Sequence, residues 1–265
     1  MLILVYLQRG PALTHATETL SAARPPERWT EKPTADARFY LAMVAISAAL
    51  IIIGFLPSFY LKPIIKAPPP LSMLTMTHGL VFTAWLGLFV TQATLVARNN
   101  LALHRQLGMM GALLFGAMIT LGVSTAITAG RLGHIPPGAP PPLAFMALPL
   151  MAFTATTALI APAIWLRRRS DWHKRLMVVA LFTMTGPGTG RIAIPMGFAA
   201  HGHWISIVIT ELLLAVAIAW DLSTHKRVHP AYLYAAALLA VLHVALAWGF
   251  SSPDWLVFAR AITAG

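Results

Sequence analysis

The sequence predicts an all-α fold, a polytopic membrane bundle of seven transmembrane helices with its N-terminus in the cytoplasm. Three observations lead to this prediction. The chain is 58% hydrophobic and only 10% charged, which leaves too little polar surface to cover a soluble globule. Its apolar residues form seven stretches of about the 20 residues that a helix needs to cross a bilayer. Its basic residues are concentrated in alternate connections between those stretches.

The elements follow one another along the chain with short connections. Residues 1–38 are polar and mixed in charge, which is typical of a flexible tail that packs no core. Two proline-rich segments, at 66–71 and 133–143, predict stiff extended loops. Residues 251–265 are predicted to be a short periplasmic tail. The seven-helix domain covers 39–250, and its predicted spans are 39–59, 71–97, 104–130, 143–166, 173–198, 203–220 and 231–250.

The distribution of Lys and Arg predicts the orientation. Fourteen of these residues lie in the N-terminal tail and in connections 98–105, 167–175 and 221–230, against four in the other connections and the C-terminal tail. The positive-inside rule therefore places the N-terminus on the cytoplasmic side of a bacterial inner membrane and the C-terminus on the outer side. This asymmetry accounts for the net charge of +11, so the lipid bilayer is the expected partner and nucleic acid is not.

The composition also excludes several kinds of site. With no cysteine, the chain can form no disulfide, thiolate zinc site, iron–sulfur cluster or covalently attached haem. Any cofactor must then be held by His, Met, carboxylate or packing. The sequence contains no nucleotide-binding loop, Ser-His-Asp order or paired-carboxylate motif, so hydrolase and ATPase functions have no support. Whether the protein is an enzyme stays open.

Four ionisable residues on four different spans are predicted to share one depth. His78, Arg191, Glu211 and His243 each lie seven or eight residues from the outer end of a span, which places them about 10–12 Å deep. An ionisable group inside a membrane costs roughly 2.5–3.5 kcal/mol, so mutual contact is the least costly arrangement. The sequence therefore predicts a polar site in the outer half of the bilayer.

The segment TGPGTGRIAIP at 185–195 interrupts the fifth span with glycines, prolines and a charge. We expect Arg191 to be buried because Glu211, at matching depth on the next span, can accept a charge-assisted pair. Pro187 removes a helix hydrogen bond, which predicts free backbone carbonyls near Arg191. The alternative is that the ion pair only fixes helix register and the glycines allow close packing.

Histidines near both faces predict a cofactor site in each layer. His78 and His243 form the outer pair, and His104 and His173, at the cytoplasmic starts of spans three and five, form the inner pair. Two imidazoles on different helices can ligate one haem or metal ion per layer. The alternative for the inner pair is that His104 and His173 are ordinary interfacial anchors. Glycines at one-turn spacing after His104 predict a groove that admits a flat ring.

Three motifs resemble those of known membrane proteins. The motifs are T-H-G-L at 77–80, H-R-Q-L-G at 104–108 and D-W-H-K-R-L-M at 171–177. In this combination the chain resembles an uncharacterised family of bacterial multi-spanning membrane proteins, over roughly residues 39–250. It is also distantly similar to transmembrane di-haem cytochrome b proteins. The second resemblance implies haem ligation by histidines near both membrane faces.

The predicted function is binding of a redox cofactor, haem b, for electron transfer. His78 and His243 are the predicted outer ligands of the iron, and Arg191 with Glu211 stabilises a cofactor carboxylate or relays protons. A membrane redox partner or protein complex is the expected partner. One alternative is a transporter with a broken fifth span, or a copper-handling protein that uses Met73, Met76 and His78. Another is a non-catalytic accessory subunit.

Overall fold

The structure is a computed structural model that describes residues 33–65 and 70–264, and within these ranges all regular structure is helical. A turn of π-helix (Leu56–Tyr60) follows the first helix, and a short 3-10 helix (Ala199–His201) precedes the eighth. The α-helices are α1 (Pro33–Phe55), α2 (Lys62–Ile65), α3 (Met73–Ala97), α4 (Leu101–Leu132), α5 (Pro142–Phe145), α6 (Ala147–Trp165), α7 (Ser170–Ala193), α8 (Gly202–His225), α9 (Pro230–Ser251) and α10 (Pro253–Thr263).

In the described part of the chain, six helical segments are long and apolar enough to cross a membrane. This finding confirms a polytopic helical membrane bundle. The helix α7 is not among the six, because Asp171, Lys174, Arg175 and Arg191 lower its hydropathy. The six segments are Ala35–Ile65, Met73–Ala97, Leu101–Leu132, Pro142–Trp165, Ala199–His225 and Pro230–Ser251.

The helix α7 lies at the centre of the bundle. It packs against α1, α6, α8 and α9, and all eight residues from 178 to 185 are buried. Eight residues are more than two helical turns, so this part of α7 is covered on every side. The other long helices instead present large apolar side chains outward, such as Leu113, Val241 and Val244. The charged residues of α7 therefore belong to a helix whose middle is shielded by protein.

Small residues allow α7 to approach its neighbours closely. A Cβ atom added to Gly188 would lie 2.8 Å from the Leu50 carbonyl oxygen of α1, and one added to Gly54 would collide with Gly188 itself. On the opposite side, a Cβ atom on Gly190 would lie 3.0 Å from Ser206 Oγ of α8. Glycine at these positions is required because the backbones are in contact, as is common between membrane helices.

The structure corrects several predicted boundaries. Residues 33–38, assigned to the flexible tail, belong to α1, whereas the prediction for 1–32 lies outside the described residues. The predicted C-terminal tail contains α10, whose Trp255 Nε1 donates a hydrogen bond to the Leu143 carbonyl at 2.8 Å. Residues 133–141 are non-helical, as the prolines predict. We call the end of the bundle with connections 98–100, 166–169 and 226–229 the basic end, and the opposite end the proline-rich end.

Candidate functional site

The structure brings the two predicted inner histidines together at the basic end. His104 lies in the first turn of α4 and His173 in the first turn of α7. Their ring centroids are 6.3 Å apart, and the ring planes are nearly perpendicular at 84°. These two residues are far apart in sequence, so their approach results from the packing of four helices. They form the His104–His173 pair.

Each imidazole of the His104–His173 pair is oriented by a backbone carbonyl. His173 Nδ1 lies 2.8 Å from the Ala163 carbonyl oxygen, and His104 Nδ1 lies 3.4 Å from that of Gln92. When Nδ1 carries the proton and donates it to these carbonyls, Nε2 is the unprotonated nitrogen. Among the described residues, neither Nε2 makes a hydrogen bond. Both rings are thus held in the orientation and tautomer that metal-ligating histidines use.

Two glycines that follow His104 face α3. Gly108, one turn after His104, faces the Gln92 amide, and a Cβ atom there would lie 3.6 Å from Gln92 Nε2. Gly111 similarly faces Leu88, at 3.5 Å. Both distances are ordinary van der Waals contacts, so the predicted groove for a flat ring stays a prediction. The Oε1 atom of Gln92 is buried and has no hydrogen-bond partner among the described residues, which leaves an acceptor beside His104.

A large cavity opens between the helices toward the proline-rich end. It has a volume of about 1030 Å³, and its lining includes His78 of α3, Arg191 of α7 and His243 of α9. We call it the His78–Arg191 cavity. Thr75 and Phe82, about one turn before and after His78 on α3, also line this cavity. Three of the four residues predicted to share one depth therefore line the same cavity, and the fourth, Glu211, does not.

The predicted ion pair between Arg191 and Glu211 is wrong. Glu211 Oε1 lies 3.6 Å from His243 Nδ1, and the Glu211 side chain is 43% exposed. Arg191 Nη1 instead donates to the Pro187 carbonyl at 2.9 Å, and its guanidinium lies 4.3 Å from the Phe55 ring centroid. The side chains differ in direction around their helices, because Glu211 lies beside the buried stripe of α8 rather than on it.

The predicted break in the fifth span is also absent. The helix α7 is continuous from Ser170 to Ala193 although it contains Pro187. Hydroxyl groups take part in satisfying the carbonyls of this segment, since Ser206 Oγ donates to the Gly186 carbonyl at 2.7 Å and Thr189 Oγ1 at 3.1 Å. The alternative interpretation of the glycines, close packing, is the one the structure supports. A transporter function based on a broken helix loses its basis.

The outer histidines are not arranged as a facing pair. His78 contacts the rings of Phe82 and Phe153, with centroids 6.1 and 6.4 Å away. Among the described ring contacts of His78, His243 is absent. His78 Nδ1 is buried and lacks a hydrogen-bond partner in the described chain. The assignment of His78 and His243 as ligands of one metal stays a prediction.

The methionines proposed for copper do not converge on His78. Met73 is 79% exposed and Met76 is 43% exposed. Neither residue lines the His78–Arg191 cavity. Their thioether groups project outward from the helices, so the M-x-x-M-x-H spacing does not correspond to a ligand cluster.

Comparison with known proteins assigns no family. No family model, curated protein or solved structure matches the chain. Function is therefore inferred from two local arrangements of side chains, the His104–His173 pair and the His78–Arg191 cavity.

Sequence reasoning missed a buried ion pair at the basic end. Arg175 of α7 and Asp221 of α8 have side chains that are 1% and 0% exposed. Arg175 Nη2 donates to Asp221 Oδ1 at 2.7 Å and Nε donates to Oδ2 at 3.0 Å. Both atoms of the carboxylate are therefore engaged by one guanidinium, the geometry that makes such pairs strong. The sequence analysis had counted Arg175 only among the basic residues of connection 167–175.

His229 extends this buried network in the connection between α8 and α9. Its Nε2 lies 3.1 Å from Asp171 Oδ2, and its Nδ1 accepts a hydrogen bond from the Ala231 amide at 3.1 Å. Burial, followed by the positive charge of Arg175, lowers the pKa of His229 to about 4, although Asp171 acts in the opposite direction. The residue is therefore neutral at pH 7, with its proton on Nε2.

A second acidic residue, Asp36 of α1, joins the same end of the bundle to α7 and α8. Asp36 Oδ2 accepts from Lys174 Nζ at 2.8 Å, and Oδ1 accepts from Trp220 Nε1 at 3.0 Å. The available signal was the rarity of acidic residues: the chain has only eight, and six of them lie in the N-terminal tail or in the basic connections. An acid at a strongly basic membrane face is a candidate ion-pair partner.

Proposed function

We propose that this chain is an integral protein of the bacterial inner membrane that crosses it seven times, with its N-terminus in the cytoplasm. Six apolar helices of sufficient length support the proposal. The seventh crossing is α7, whose 24 residues match the length of its neighbours and whose middle is shielded from lipid by them. The excess of Lys and Arg at the basic end supports the cytoplasmic assignment of that end.

We infer that the protein binds haem b for one-electron transfer, and that His104 and His173 hold the iron. The observation that carries this inference is the 6.3 Å separation of the two ring centroids. Two imidazoles whose centroids are this close could each offer one nitrogen to the same iron. The donor set fits as well, since neutral imidazole is an established haem ligand.

The residues of the pair have distinct tasks in this proposal. Haem b, when bound, supplies an iron that alternates between ferric and ferrous states. The carbonyls of Ala163 and Gln92 accept the Nδ1 protons, which fixes each ring and raises the basicity of its Nε2. The hydrogen bond to the Ala163 carbonyl limits the movement of the His173 ring in the first turn of α7. A rigid ligand pair lowers the reorganisation that accompanies each electron transfer.

The proposal changes which histidines bind the iron. Sequence reasoning assigned the outer pair, His78 and His243, as the first ligands, whereas the ring geometry favours the inner pair. Similarity to transmembrane di-haem cytochrome b proteins remains part of the proposal, and it is supported by histidines near both ends of the bundle. A membrane redox protein is the expected partner.

Copper is the second candidate. Among the described residues, no group of three His, Asp or Glu side chains could hold a metal ion. An isolated pair of imidazoles is a poor zinc site, since zinc almost always takes four ligands, but imidazole is a suitable ligand for copper. This observation favours copper over zinc for the same two residues.

Optical spectroscopy and metal analysis test the proposal together. The protein is produced with a haem precursor in the medium, purified in mild detergent, and its spectrum is recorded before and after reduction with dithionite. Soret and α bands with about one iron per chain are the expected result. Copper without these bands supports the second candidate. A colourless, metal-free preparation contradicts both and favours a non-catalytic accessory subunit.

A further inference from the structure

Arg191 is a cation with most of its hydrogen-bonding capacity unused. A guanidinium has five N–H donors, and in the described chain the Arg191 side chain makes one hydrogen bond, from Nη1 to the Pro187 carbonyl at 2.9 Å. Its other neighbour is the Phe55 ring, 4.3 Å away. The described residues offer it no carboxylate. A cation at this depth requires an anion or water, because leaving it unpaired is costly.

His78 is the second incompletely paired polar group in the same cavity. Its Nδ1 is buried and has no hydrogen-bond partner among the described residues. Its ring lies between Phe82 and Phe153, which cannot provide that partner. A carboxylate or phosphate oxygen can accept from an imidazole N–H and from a guanidinium at the same time. Because Nδ1 of His78 is closed off from the cavity space, Arg191 is the group in this cavity that calls for an anionic ligand.

The remaining walls of the cavity require a ligand that is mostly apolar. They include aromatic and aliphatic side chains from four helices, namely Phe55, Phe82, Phe153, Leu239 and Leu242. The volume of about 1030 Å³ is far larger than that of a small inorganic anion, since one water occupies about 30 Å³. A chloride or phosphate ion alone would leave these walls in contact with water, which is unfavourable. A long apolar chain would cover them.

We propose that the His78–Arg191 cavity binds an anionic amphiphile, a molecule with one acidic headgroup on a long apolar chain. The headgroup pairs with Arg191, and the chain lies along the aromatic and aliphatic walls. The lining extends to Lys62 and Ser72 at the proline-rich end, so a second cation lies near the mouth. Fatty acids and anionic phospholipids both have this chemistry, and a membrane supplies either.

Native mass spectrometry of the delipidated full chain tests the proposal. Oleate and oleyl alcohol are added at matched concentrations in neutral detergent, because they share the chain and differ in charge. Oleate is expected to bind about tenfold more tightly or better, as for a charge-assisted hydrogen bond. Phosphatidylglycerol against phosphatidylcholine is the parallel comparison. A preference for oleate identifies the ligand as a free fatty acid, and a preference for phosphatidylglycerol identifies it as an anionic phospholipid. The absence of a preference in both comparisons overturns the proposal.

Variants locate the site. Arg191→Gln is expected to lower oleate binding to the level of the alcohol, whereas Arg191→Lys keeps the charge and retains a preference for oleate. Arg260→Gln is the matched control, because Arg260 lies in α10 outside this cavity. An Arg191→Gln protein that still prefers oleate to oleyl alcohol contradicts the assignment of the headgroup to Arg191. If this variant does not fold, the comparison of oleate with oleyl alcohol in the wild-type protein still decides the proposal. His104→Ala is expected to leave oleate binding unchanged, which separates this proposal from haem binding.

Discussion

Replacement of Arg175 by Met should be among the most destabilising single changes in this protein. The Arg175 and Asp221 side chains are 1% and 0% exposed and share two short hydrogen bonds. In Arg175→Met, Asp221 stays buried without its counter-ion and retains the His229 amide, 3.2 Å away. Breaking a buried pair in this way costs about 3–5 kcal/mol. For a chain of this size the midpoint of thermal unfolding is expected to fall by about 6–20 °C.

Thermal unfolding in detergent, followed by intrinsic fluorescence at one scan rate, measures this effect. The double variant Arg175→Met, Asp221→Leu removes both charges and should be more stable than the sum of the two single effects predicts. Arg169→Met is the control, because its side chain is 59% exposed and 3.6 Å from Asp171, so it should cost no more than about 1 kcal/mol. A loss of about 1 kcal/mol lowers the unfolding midpoint by only 2–3 °C. An Arg175→Met midpoint that close to wild type would show that the pair does not stabilise the fold.

Three further outcomes are expected. Gly188→Ala should destabilise the folded protein by about 1–3 kcal/mol, because the added Cβ atom would press on α1. Gly116→Ala is the control: its Cβ position is in open space, so this change should be neutral or stabilising in the same unfolding assay. The unfolded chain takes up a proton at His229 near pH 6.5, and the folded chain only near pH 4. The free energy of unfolding should therefore fall as the pH drops between these values. If His229→Gln has the same pH profile of stability as the wild type, His229 is not the cause. A reporter fused after Gly265 should be active only outside the cytoplasm, and cytoplasmic activity would reverse the topology.

The helical architecture was predictable because it depends on composition and span length, which are local properties. The central position of α7 was not, since hydropathy reports what a helix contains and not what surrounds it. The charges of α7 in fact lower its hydropathy below that of the helices around it. Eight consecutive buried residues in a helix are visible only after the neighbours are known.

The residues around the His78–Arg191 cavity were also predicted only in part. Counting residues from a helix end predicted one level for His78, Arg191 and His243, and all three line one cavity. Counting does not give direction around the helix, so the Arg191–Glu211 pair was wrong. The hydroxyls Ser206 and Thr210, four residues apart and both buried, mark the inward face of α8. Glu211 is one residue, or about 100° of rotation, away from that face.

Removal of individual histidines tests the central claim most directly. His104→Ala, His173→Ala, His78→Ala and His243→Ala are each purified, checked for folding by circular dichroism, and compared with wild type for Soret absorbance and iron per chain. We predict that His104→Ala and His173→Ala lose the haem spectrum or change it to that of a singly ligated iron, while the other two variants retain it. Loss of the spectrum in His78→Ala and His243→Ala, with retention in His104→Ala and His173→Ala, would contradict the assignment of the inner pair.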